Sequence, residues 1–101
     1  MELKETVIIE YSAKRLFPNL SRDQILAQLL LERAQKNLIK YQSTSRHFRN
    51  KYGQDFDAFR REILQSEPPF EAEQDYFDWE LAVTGIADME EEVERLESLS
   101  N

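Results

Sequence analysis

The sequence predicts an all-α protein: a long, coiled-coil-like antiparallel helical hairpin, a short connecting helix, and an additional N-terminal helix or strand. Three observations carry this. Two stretches set their apolar residues at alternating spacings of three and four, which is the pattern of a helix seam. The first stretch has a start signal at Ser21 and a stop signal at Gly53. Pro68-Pro69 divides the two stretches, and a helix cannot continue through such a pair.

The N-terminal segment reads two ways. Val7-Ile8-Ile9-Glu10-Tyr11 is rich in strand-favouring residues. Leu3, Val7, Ile8 and Tyr11 also share one helical face. Helix is the better assignment for residues 3–16, because a lone strand has no partner in a helical monomer. Pro18 ends such a helix near Arg15 or Leu16.

Ser21-Arg22-Asp23-Gln24 fits the reciprocal S-x-x-Q capping box. From there Leu31, Ala34, Leu38, Tyr41, Ser45, Phe48 and Tyr52 form the first seam, and Ile25, Leu26, Leu29 and Leu30 widen its apolar face. A helix over 22–52 is about 46 Å long. Ser43-Thr44-Ser45 is its weakest stretch and a candidate kink. Gly53 suits the left-handed position after a helix. Asp55 can cap a short helix with Phe56, Phe59 and Ile63 on one face, ending near Ser66. A last helix is expected from Glu71–Glu73 to about residue 99. Its seam is Tyr76, Trp79, Val83, Ile86, Met89, Val93 and Leu96. Gly85 inside it costs about 1 kcal/mol against alanine, which a close helix contact or a bend would explain.

Composition narrows the function. The chain has 101 residues, no cysteine, one histidine and two glycines. It is short enough to be one domain, residues 1–101. Glycine-rich phosphate loops, cysteine zinc sites and H-E-x-x-H metal sites are excluded. No apolar run approaches the roughly 20 residues that span a bilayer, and the first residues lack an export-signal layout. The expectation is a cytoplasmic protein that works by binding, without cofactor or catalytic residues.

Charge divides the chain. Residues 1–66 carry 12 Lys/Arg and 8 Asp/Glu, a net of +4; residues 67–101 carry 1 and 12, a net of −11. Residues 33–54 contain no acid at all. A basic arm and an acidic arm that partly neutralise one another are therefore expected.

Several chemistries can be weighed on these arms. Arg46, Arg49 and Lys51, interleaved with Tyr41, His47, Phe48 and Tyr52, are candidate nucleic-acid contacts, although the aromatics fall on the seam. The Val7–Tyr11 segment followed by Leu20-Ser21-Arg22 has a faint ribbon–helix–helix character, but the intervening stretch is too short for that motif's first helix. The i, i+3 acid pairs Asp75/Asp78, Glu91/Glu94 and Glu94/Glu97 are the material of a metal-dependent all-α nucleotide hydrolase; all lie on one helix opposite a basic arm. His47 has no catalytic partner nearby in sequence. Tyr76, Phe77 and Trp79 cover more than one helix face, so Tyr76, Phe77, Asp78, Trp79 and Glu80 form the candidate partner-binding set.

Two motifs carry a family resemblance. Lys51-Tyr52-Gly53-Gln54-Asp55-Phe56-Asp57-Ala58-Phe59 follows a K-Y-G-x-x-F-x-x-F pattern, and Asp75-Tyr76-Phe77-Asp78-Trp79-Glu80 follows D-Y-x-x-W-E. Over residues 20–96 the chain resembles small helical prokaryotic antitoxins encoded beside TumE-type toxins. The resemblance implies a noncatalytic inhibitor that binds and neutralises an RNA-directed toxin; it does not assign the inhibiting residues. With the acidic arm, the expected partner is a basic protein, in a hetero-complex or beside a homo-oligomer. The alternative is a nucleic-acid-binding transcriptional regulator using the basic helix or the N-terminal segment.

Overall fold

Local chemistry sets the helix ends as expected. In the computed structural model, which describes residues 2–100, the helices are α1 (Glu2–Leu16), α2 (Arg22–Tyr52), α3 (Phe56–Gln65) and α4 (Phe70–Glu97), with a single 3-10 turn at Ser98–Ser100. Ser21 Oγ accepts from the Gln24 amide at 3.2 Å, and Gln24 Oε1 accepts from the Ser21 amide at 2.8 Å. Together they satisfy two of the orphan donors at the start of α2. Gly53 ends α2 at φ 63°, its amide donating to the Arg49 carbonyl at 2.8 Å. Asp55 caps α3 by accepting from the Ala58 amide at 2.9 Å.

Two expectations need adjustment, and the N-terminal segment takes the helical assignment. The last helix begins at Phe70, one residue before the expected window, because Pro69 itself occupies the cap position. The α2 helix is unbroken through Ser43-Thr44-Ser45; the Thr44 hydroxyl donates to the Lys40 carbonyl at 3.1 Å, within the helix. Val7–Tyr11 is helical, and there is no strand among the described residues, so no ribbon for a ribbon–helix–helix dimer. Leu3, the first position of the expected α1 face, has its side chain outside the described residues.

The two long helices pack along most of their length, and α3 packs on α4 at the turn. All seven residues of the α2 seam, and all seven of the α4 stripe, are buried or half-buried. The densest burial lies where α2, α3 and α4 meet: Phe48, Phe59, Tyr76 and Trp79 form one cluster, flanked by Tyr52, Phe56, Ile63 and Val83. Further along, Gly85 lies against the ring of Tyr41, so close that a Cβ built there would sit 2.6–2.8 Å from the ring carbons. That contact is the reason a glycine stands mid-helix.

The molecule is thin. Its extents are 58 × 35 × 18 Å and its radius of gyration is 20.0 Å, against about 13 Å for a compact chain of this length. A helix with side chains is about 10–12 Å across, so every long helix keeps a solvent-facing side. The α1 helix lies outside the packed set. It faces the start of α2 across a groove lined by Ile9, Ala13, Leu20 and Ile25. Val7, Ile8, Ile9, Tyr11 and Leu16 on α1, and Leu26, Leu29 and Leu30 on α2, all remain exposed.

Candidate partner-binding face

The aromatic motifs build the core at the turn. Trp79 is 1% exposed. Its ring meets those of Phe48, Tyr52, Phe56 and Phe59 at centroid distances of 5.3–6.4 Å. Its indole N–H donates to Ser45 Oγ at 3.0 Å, so the polar seam position in α2 exists to receive it. Buried indole donors need such a partner. Tyr76 is also buried; its hydroxyl donates to Glu80 at 3.0 Å, and burial, then that hydrogen bond, raises its pKa.

A charged knot closes the same end. Lys51 Nζ donates to Asp75 at 2.6 Å and to Glu71 at 3.0 Å, and the Tyr52 hydroxyl donates to Asp75 at 2.5 Å. The Lys51 and Tyr52 hydrogen bonds hold the Asp75 carboxyl below its ordinary pKa of 3.8. Desolvation, then the hydrogen bond to Asp75, raises Tyr52; the bonds to Asp75 and Glu71 raise Lys51. Two ion pairs and one hydrogen bond thus tie the end of α2 to the start of α4.

Of the five expected partner-binding residues, the fold turns Tyr76 and Trp79 inward and leaves Phe77, Asp78 and Glu80 at the surface. Trp79 offers almost nothing for a partner to touch. Phe77 is 48% exposed, and the sequence reading missed its neighbours: Leu81, one turn on at 69%, and Phe70, two turns back at 76%. Their spacing of seven and then four marks a single stripe on the outer side of α4. Glu73, Asp78, Glu80 and Asp88 surround it, all exposed. The helix carries 11 acids and one base, Arg95.

The two arms do not neutralise one another as expected. Lys51 alone bridges α2 to α4 among the described residues; the other ion pairs, Arg95 with Glu91 and Glu92, lie within α4. Arg33, Lys36 and Lys40 sit at spacings of three and four on an outer stripe of α2, away from the seam. Of the expected nucleic-acid contacts, Arg46 and Arg49 are exposed and outside any ion pair among the described residues, whereas Lys51 is committed to Glu71 and Asp75. His47 is exposed, its ring edge on Phe48 at 5.1 Å. Among the described residues no three carboxylate or histidine side chains gather as a metal site. Asp75 is engaged with Lys51 and Tyr52, and Glu91 with Arg95.

No family model matches the chain, and no curated protein or solved structure matches it. No helix among the described residues is long and apolar enough to cross a membrane.

Proposed function

We propose that this protein is a noncatalytic protein-interaction module, a prokaryotic antitoxin that binds and neutralises a cationic toxin in the cytoplasm. The observation that carries the reading is the outer side of α4. It presents an apolar stripe of Phe70, Phe77 and Leu81 within a helix of net charge −10 (11 acids, one base), and among the described residues only Lys51 forms an ion pair with it from α2. Such a surface suits a basic partner: the field steers encounter, and exposed aromatic and aliphatic groups supply contact area. The sequence motifs fit the same class, although Trp79 then acts as the core on which the binding helix is mounted. The test is co-expression with the product of the neighbouring gene. A stoichiometric complex that relieves growth arrest, and that Phe77→Ala with Leu81→Ala disrupts, is the expected result.

A second reading has its own observation. Arg46 and Arg49, and on another side of α2 Arg33, Lys36 and Lys40, are exposed and in no ion pair among the described residues; exposed bases along a helix are the material of a phosphate-binding surface. A nucleic-acid-binding regulator would use that helix. Retention of a duplex or single strand by the wild type, lost in Arg46→Ala with Arg49→Ala, is the result that would favour it.

A further inference from the structure

We propose that α1 and the first three turns of α2 form a self-association surface, occupied by the same surface of a second copy of this chain. The surface is separate from the outer stripe of α4. The argument begins with α1 itself. It is a 15-residue helix containing the β-branched run Thr6-Val7-Ile8-Ile9. Isolated helices of this length are marginal in water even with good helix formers, and such a run is a poor one. Within the chain α1 packs far less than the other helices; it faces the start of α2, where Ile25 is buried. Apolar residues nonetheless occur on more than one side of it, which is the pattern of a covered helix.

The exposed area is of the right size. Val7, Ile8 and Tyr11 are 55–66% exposed, and Leu26, Leu29 and Leu30 are 44–56%. These six amount to just over three whole residues of open surface, on the order of 600 Å². That is the same order as the roughly 800 Å² that one partner gives to a stable interface.

Charge selects the occupant. The α1 helix carries three acids and three bases, a net of zero, so it exerts no field that would favour a strongly basic or acidic partner. The charges are also ordered along the helix: Glu5 precedes the apolar centre, and Lys14 and Arg15 follow it. An antiparallel pair of α1 helices about a two-fold axis near Ile9–Glu10 sets Glu5 of each copy opposite Lys14 and Arg15 of the other. A two-fold interface requires that kind of self-complementarity, residue i meeting j while j meets i.

The test is light scattering on the full chain at about 100 µM, with variants read by their dimer dissociation constants. The wild type is expected at twice the chain mass of 12.0 kDa. Ile8→Glu should weaken the dimer about a hundredfold and leave Trp79 fluorescence unchanged, since the α2–α3–α4 core lies away from it. Glu5→Lys alone should weaken it about tenfold, and Glu5→Lys combined with Lys14→Glu and Arg15→Glu should restore it. A wild type that remains monomeric at this concentration overturns the proposal. So does a dimer that Ile8→Glu leaves intact, or one that the combined charge reversal fails to restore.

Discussion

Replacing Gly85 by alanine puts two effects of known sign in opposition. In an open helix the change stabilises by about 1 kcal/mol, because glycine loses more backbone freedom on folding. Here the added methyl would stand 2.6, 2.7 and 2.8 Å from Cδ2, Cε2 and Cγ of Tyr41. Cγ is the ring atom bonded to Cβ, so the clash is not with the loose end of a flexible chain. Either the ring leaves its rotamer or the two helices separate, and overpacking of this kind costs about 1–3 kcal/mol. The net expectation for Gly85→Ala is a loss of about 1 kcal/mol. Removing the ring should reverse the sign: in a Tyr41→Ala background, Gly85→Ala should stabilise by about 1 kcal/mol. The coupling between the two positions is then about 2 kcal/mol. Urea unfolding followed by far-UV circular dichroism and Trp79 fluorescence, at one fixed protein concentration, measures all four corners of the cycle. A Gly85→Ala protein that gains stability equally in both backgrounds, with no coupling, would refute the close helix contact.

Three further predictions follow from the turn end. Trp79→Ala should cost about 3–5 kcal/mol, a large share of the 5–15 kcal/mol typical of a domain, and thermal unfolding should show a Tm lowered by more than about 10 °C. Ser45→Ala leaves the indole N–H without its acceptor; a loss of about 1 kcal/mol corresponds to a fall in Tm of about 4–8 °C, absent when Trp79 is already phenylalanine. The third concerns pH. The Asp75 pKa is depressed from 3.8, so its contribution is present above that value and disappears as pH falls through the lower folded value. Those of Tyr52 and Lys51 are raised from 10.0 and 10.5, so their contributions are present below those values and disappear on the alkaline side. The stability difference between wild type and Asp75→Asn should therefore be flat from about pH 5 to 9 and shrink towards pH 2–3; a difference that persists at pH 2 would contradict the knot.

Much of the fold was legible because helices write their periodicity into the chain. The two seams, the Ser21–Gln24 box, Gly53 and the Asp55 cap are local signals, each spanning four residues or one repeat. Gly85 was also readable, since a glycine inside a seam asks for a close neighbour; its partner Tyr41, 44 positions away, was not. The fate of Tyr76, Phe77 and Trp79 was the harder question. Adjacent helical residues differ by about 100°, so one of Tyr76 and Phe77 had to face outward. Which one depends on where α3 packs: Phe56 stacks on Tyr76 at 5.7 Å, and that contact is non-local. The outer stripe could have been found by following Phe70, Phe77 and Leu81 at spacings of seven and four. The charge arms misled because net charge per segment says nothing of direction; Arg33, Lys36 and Lys40 point away from the acidic helix they were expected to neutralise.

The central claim is that the outer side of α4 binds a basic protein partner. Its most direct test is the affinity of the purified chain for the product of the neighbouring gene, measured for four proteins: wild type, Phe77→Ala with Leu81→Ala, Glu73→Lys with Glu80→Lys, and Arg46→Ala with Arg49→Ala. Circular dichroism on each confirms that the hairpin is intact. The account predicts loss of about 2 kcal/mol or more for the apolar pair. It predicts a slower, less salt-sensitive association for the acid reversals, and wild-type binding when the α2 arginines are removed. The opposite pattern, with the α4 variants binding normally and the arginine variant failing, would contradict it and make α2 the working surface.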